Sequence, residues 1–135
     1  MAIVKAPDFG ITSATSTVAT LQTTTSTSYT DLSTVGPAVT LVTGNKALVI
    51  ISCEVTGSTA SVESMASFAV SGATTVAAAD AVKFLHANNL YERQSVVNCS
   101  TNLNSGSNTF TMKYRCNTGT GTFLNRQITV IDLGA

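Results

Sequence analysis

The residues in this chain that could do chemistry are few and far apart. Its seven acids, Asp8, Asp31, Glu54, Glu63, Asp80, Glu92 and Asp132, are scattered through 135 residues. Glycoside hydrolysis needs two carboxylates converging on one bond, and acids this sparse and unclustered give no reason to expect such a pair. The single histidine, His86, has no His-Glu-x-x-His partner and no neighbouring cysteine pair. Metal ligation therefore has no support in the spacing, and His86 reads as a surface or loop residue. The three cysteines, Cys53, Cys99 and Cys116, lack Cys-x-x-Cys spacing and sit inside strand-like runs. They read as small buried hydrophobes, and a Cys99–Cys116 cross-strand bridge is disfavoured in a reducing compartment.

Short motif matches fail on context. Asp8-Phe9-Gly10 has the form of the kinase magnesium tripeptide, without the glycine-rich or catalytic loops that give it meaning. Thr118 to Thr122 reads Thr-Gly-Thr-Gly-Thr, but it lies between strands and lacks the following helix and Lys-Ser/Thr of a phosphate loop. It reads as a turn. No Gly-x-Ser-x-Gly elbow occurs, and Asn98-Cys99-Ser100 matches the glycosylation sequon inside an expected strand. No catalytic set, metal or cofactor is expected, and the protein is read as a non-enzyme.

The elements that position these residues are strands. From Phe110 to Cys116 the apolar Phe110, Met112, Tyr114 and Cys116 alternate with Thr111, Lys113 and Arg115. Strand side chains alternate between faces, so one face is apolar and the other wet. The Gly-Thr turn that follows makes this the first arm of a hairpin. Ala47 to Val55 places Ala47, Val49, Ile51, Cys53 and Val55 on one face, with Leu48 and Ile50 apolar on the other. Apolar residues on both faces predict a central strand whose second side is covered by another subunit or by the N-terminal arm.

Further strands are expected at 28–32, 38–42, 63–70 with Ala66, Phe68 and Val70 inward, and 94–103 with Val97, Cys99, Thr101 and Leu103 on one face. The Ala-rich stretch 74–89 has helical propensity. Its strand neighbours favour a long loop or irregular strand, and residues 77–89 are read that way. Short strands joined by polar turns, with no secure helix, point to an all-β sandwich or barrel.

Composition narrows the rest. Charged residues make up 10% of the chain and the net charge is +0, so no basic patch supports nucleic-acid binding. No apolar run has the length to span a bilayer, and the N-terminus lacks a signal-peptide apolar region. The chain is expected to be made in a cytoplasm. A surface of hydroxyls with few charges costs little to dehydrate and suits contact with other subunits. Residues 1–27 are expected to form an extended Thr/Ser-rich arm, either flexible or pairing as a strand with a partner, and 28–135 the β domain.

The segment 105–131, carried by Gly106, Phe110, Tyr114, Arg115, Gly119, Gly121, Phe123, Asn125, Arg126, Ile128 and Val130, resembles the closing hairpin of a recurrent phage structural domain. Ser67 to Gly72, ahead of the Ala-rich stretch, fits the same pattern. The resemblance implies an antiparallel jelly-roll β-sandwich of the tumour-necrosis-factor and C1q type, found in phage head-decoration (cement) proteins and in tail-fibre or baseplate parts. It implies a homotrimer that binds the major capsid protein on the head exterior of the virion, with a receptor-binding fibre or baseplate domain as the alternative. Cys116 and the N-terminal arm depart from the pattern. Ile3, Val4, Phe9 and Ile11 are the expected contacts with the shell or a neighbouring protomer.

Overall fold

The computed structural model describes residues 11–134. Nine strands are present: β1 (Ser13–Val18), β2 (Gln22–Thr24), β3 (Ala38–Thr43), β4 (Lys46–Gly57), β5 (Glu63–Gly72), β6 (Phe84–Ala87), β7 (Glu92–Ser100), β8 (Gly106–Cys116) and β9 (Gly121–Gly134). Sheet I runs β1-β9-β4-β7, with β2 also on β9, and sheet II runs β3-β8-β5-β6. All pairings are antiparallel. From β3 onward the chain passes repeatedly between the sheets, which is the jelly-roll path through a two-layer sandwich.

The alternating runs set the core. Phe110, Met112, Tyr114 and Cys116 of β8 are buried, as are Ala47, Val49, Ile51, Cys53 and Val55 of β4. Ala66, Phe68 and Val70 of β5 join them, as expected. Each large side chain so buried contributes roughly 1.5–3 kcal/mol. Burial also pushes the Cys53 thiol up to about 12, since a thiolate there would lose its hydration.

β9 keeps one inner face only because of a bulge. Ser52 pairs with Gln127 and Glu54 with Leu124, so Asn125 and Arg126 together oppose Cys53. Asn125 takes φ 47°, in the left-handed region, where Asn is tolerated better than most residues. The extra residue resets the alternation, so that Phe123 before it and Arg126, Ile128 and Val130 after it all point inward and are buried.

Several expectations need correction. The Thr/Ser-rich stretch is extended, but its partner is the chain's own β9: Ser13–Val18 and Gln22–Thr24 pair along the β9 edge. Within the described residues, 11–27 are thus part of the sandwich, because β9 is long enough to leave an edge that these β-branched hydroxyl residues satisfy. The strand expected at 28–32 reduces to one bridge, Thr30 to Tyr114, with Leu32 buried in the core.

Residues 77–89 are a loop with one 3-10 turn, Asp80–Val82, followed by β6. On β7 the half-buried residues are Gln94, Val96, Asn98 and Ser100, so Val97 and Cys99 face outward. Cys53 and Cys116 are buried as expected, whereas Cys99 is exposed, and all three are free. His86 is a buried strand residue rather than a loop or surface one, with Nε2 2.9 Å from the Leu90 carbonyl and Nδ1 3.4 Å from Glu92.

Candidate functional site

Several of the residues with catalytic potential are individually occupied. Asp31 pairs with Lys113 at 2.6 Å, and Asp80 pairs with Arg115 at 2.7 Å. Asp132 Oδ1 accepts the backbone N–H groups of Gly44 and Gly134. The Gly-Thr turn is engaged by the 58–62 loop, where Ser58 N–H donates to Thr120 O and Thr120 N–H donates to Ser58 Oγ. Among the described residues no group of three or more His, Cys, Asp or Glu side chains gathers in metal-binding geometry.

Arg126, one of the residues that carry the resemblance, is completely buried. Nη1 donates to Gly36 O at 2.7 Å and Thr34 O at 3.3 Å, and Nη2 to Gln22 Oε1 at 2.7 Å. The guanidinium also lies 5.1 Å from the Tyr114 ring centroid. Among the described residues no carboxylate neutralises it; neutral carbonyls and an aromatic face hold the charge. Tyr114 donates its hydroxyl to the same Gly36 carbonyl at 2.8 Å, and burial raises its pKa. This buried cluster ties β2 and the 34–36 loop to β9.

The feature that calls for a partner is the outer face of sheet I. Cross-strand register builds it in rows. One row reads Ser13, Ile131, Leu48, Cys99, and the next Thr15, Thr129, Ile50, Val97. A third reads Thr17, Gln127, Ser52, Ser95, and beyond the bulge Leu124, Glu54 and Arg93 align. Ile131, Leu48, Ile50, Val97 and Cys99 thus adjoin one another, and Val97 is 58% exposed. Around them lie hydroxyls, with Thr15 and Thr129 bonded at 2.8 Å.

Of these rows the far one carries charge. There Arg93 donates to Asn125 O and Ser52 Oγ at 3.1 and 3.0 Å, and Asn125 donates to Glu54. The face offers an apolar centre with a dehydratable rim and one polar end, the composition of a protein contact rather than of a reaction site. The double apolar character of β4 was legible in the sequence; the contribution of Val97 and Cys99 depended on knowing which way β7 faces.

Of the expected contact residues, Ile11 lies at the β1 end of this face and is 76% exposed. Ile3, Val4 and Phe9 lie outside the described residues.

No protein-family model matches the chain, and no curated protein matches it. Solved structures do. Eiger TNF from S. frugiperda superposes with a TM-score of 0.61 at 11% identity, covering 93% of this chain and 94% of that one. A chain of infectious bursal disease virus, Gx strain, gives 0.63 at 10% identity, covering 93% of this chain and 33% of that one. The Gt strain gives 0.58 at 9%, with 91% and 32% covered. The chain therefore spans about a third of the viral chains it resembles. At these identities the likeness shows the fold, a TNF-like jelly roll that also occurs within the structure of a virus.

Proposed function

We propose that this protein is a non-enzymatic structural subunit of a bacteriophage particle, a head-decoration protein. It assembles as a homotrimer and stabilises the shell by binding major capsid protein on its outer surface. The observation that carries the reading is the apolar centre on the outer face of sheet I, where Leu48, Ile50 and Ile131 are half-buried and Val97 and Cys99 are exposed. In a closed cyclic trimer one heterologous contact repeats around the axis, so this face of each copy would pack against a different surface of the next. The hydroxyl rim lowers the cost of drying the contact, and the scarcity of charge leaves little to pair or repel across it.

The fold likeness to a TNF and to chains of a virus supports this reading at the level of architecture, and the resemblance of residues 105–131 to phage structural domains supports the particle. The remaining surface is then free to meet the shell through many small contacts over a wide area.

The test has two parts. Light scattering on the purified chain should give a trimer mass, and mixing with mature, expanded heads should give stoichiometric binding. A monomer, or a protein found on tails and absent from heads, overturns the proposal.

A further inference from the structure

The Ala-rich stretch that forms no α-helix is one wall of a cavity of about 270 Å³ at the β7 edge of the sandwich. The floor is Phe68 and Val70 of β5 together with Leu103, three members of the buried core. Val76, Ala79 and Val82 supply the wall, and the end of β7 supplies the rim. Among the described residues no charged side chain lines it. The inner-facing residues of β7 place neutral polar groups at the rim, where Asn98 Nδ2 donates to Ser100 Oγ at 3.1 Å.

The wall is anchored against collapse. Val70 and Val76 exchange both backbone hydrogen bonds at 2.9 Å, and Ser67 Oγ donates to Ala79 O at 2.9 Å. Asp80 is held in turn by Arg115 and Tyr29. Between these anchors the side chains are short, so the space in front of them is not filled from within. Native interiors leave few voids larger than a water molecule. Water fills this one poorly, because each molecule needs two to four polar partners and the side chains of floor and wall offer only carbon.

An apolar cavity of about 150 Å³ engineered into another protein holds a benzene ring, so this one has room for about ten heavy atoms. A preformed apolar hollow with a few polar groups at one end is the usual form of a small-molecule site.

We infer that the cavity binds a small neutral amphiphile, its alkyl or aryl body seated on Phe68, Val70 and Leu103 and its hydroxyl head at Asn98 and Ser100. A charged head finds no counter-charge in the lining and loses hydration on entering. The inference does not depend on the assembly proposed above, since floor, wall and rim belong to a single chain.

Octanol is the probe. Titrated into the isotope-labelled full-length chain, it should shift the backbone amides of 76–82 and 98–103 together, on one saturating curve with a dissociation constant of about 1 mM or tighter. Octanoate, with the same chain length and a charged head, should bind at least about 10-fold more weakly. Val82→Trp, which fills the cavity from its wall, should abolish the octanol shifts while the amides of β1 and β9 keep their native positions. Ala79→Leu is a second filling variant with the same expected loss, should the first not fold. A response that does not saturate, shifts centred on Leu48, Ile50 and Val97, equal affinity for octanoate, or undiminished binding to a folded filling variant each overturns the site.

Discussion

The outer face of sheet II is covered by the chain itself, while among the described residues no segment lies over the apolar centre of the outer face of sheet I. On sheet II, Met65 and Ser67 of β5 point outward by alternation yet are buried. The Ser67 hydroxyl donates to Ala79 O, which pins the 79–82 segment over it. Arg115 and Lys113 of β8 reach Asp80 and Asp31, and Tyr29 donates to Asp80 at 2.8 Å. Among the described residues, every ion pair between Lys or Arg and a carboxylate lies on that side. Sheet I has none, and presents Leu48, Ile50, Val97, Cys99 and Ile131 instead.

The difference teaches how one sandwich separates two tasks. A face covered by its own chain can use charges, because their partners are tethered nearby and partly solvated. A face meant for another molecule does better with apolar and hydroxyl groups, which need no prearranged counter-charge when dried.

The contrast can be broken by mutation. Ile50→Glu puts a carboxylate in the apolar centre of sheet I. Sedimentation equilibrium should show self-association weakened at least about 1000-fold, about 4 kcal/mol, while the dissociated chain stays folded. Met65→Ala on sheet II should act the other way, costing about 3 kcal/mol in urea unfolding while the oligomer mass is unchanged in native buffer. Equal effects of the two substitutions on monomer stability would remove the distinction between the faces.

Arg126→Met tests the cluster between the sheets that anchors the β9 edge. It removes the guanidinium donors from Gln22 Oε1, which keeps only the Thr34 N–H, and from Thr34 O. It should cost about 2 kcal/mol, with hydrogen exchange rising first in β2.

The smallest effect is expected at Asp80, an exposed carboxylate. Hydrogen bonds from Arg115 and then Tyr29 hold its pKa down at about 2. A depressed folded-state value means that the contribution is present above the ordinary carboxylate range and is lost as pH falls through about 2. Asp80→Asn should cost under about 1 kcal/mol at neutral pH and flatten the stability profile between about pH 4 and 2. An unchanged profile would show that this cover does not depend on the charge.

Much of the sandwich was legible because strand patterning is local. The runs 110–116 and 47–55 announced their inner faces by alternation, and Leu48 with Ile50 announced that the second face of β4 is apolar as well. β7 misled for the same local reason: its more apolar set, Val97 and Cys99, faces outward, and the polar Gln94, Asn98 and Ser100 face the sandwich at its rim. The Thr/Ser stretch was legible as extended, but its pairing partner lies more than a hundred residues away in β9. Residues 74–89 carried helix propensity that strand neighbours overrode; β6 pairs with β5 there, and His86 is buried with it.

By itself the sequence determined an all-β chain, the inner faces of its two best strands, a charge-poor surface and the lack of any recognisable catalytic pattern. These follow from side-chain type and the two-residue strand period, which need no knowledge of neighbours. Only the tertiary structure decided that Asn125 bulges and resets β9, that Arg126 is buried among neutral carbonyls, and that Ile131, Leu48, Ile50, Val97 and Cys99 meet on one face. Those outcomes depend on register between strands distant in sequence, and a face becomes inner or outer only through what packs against it.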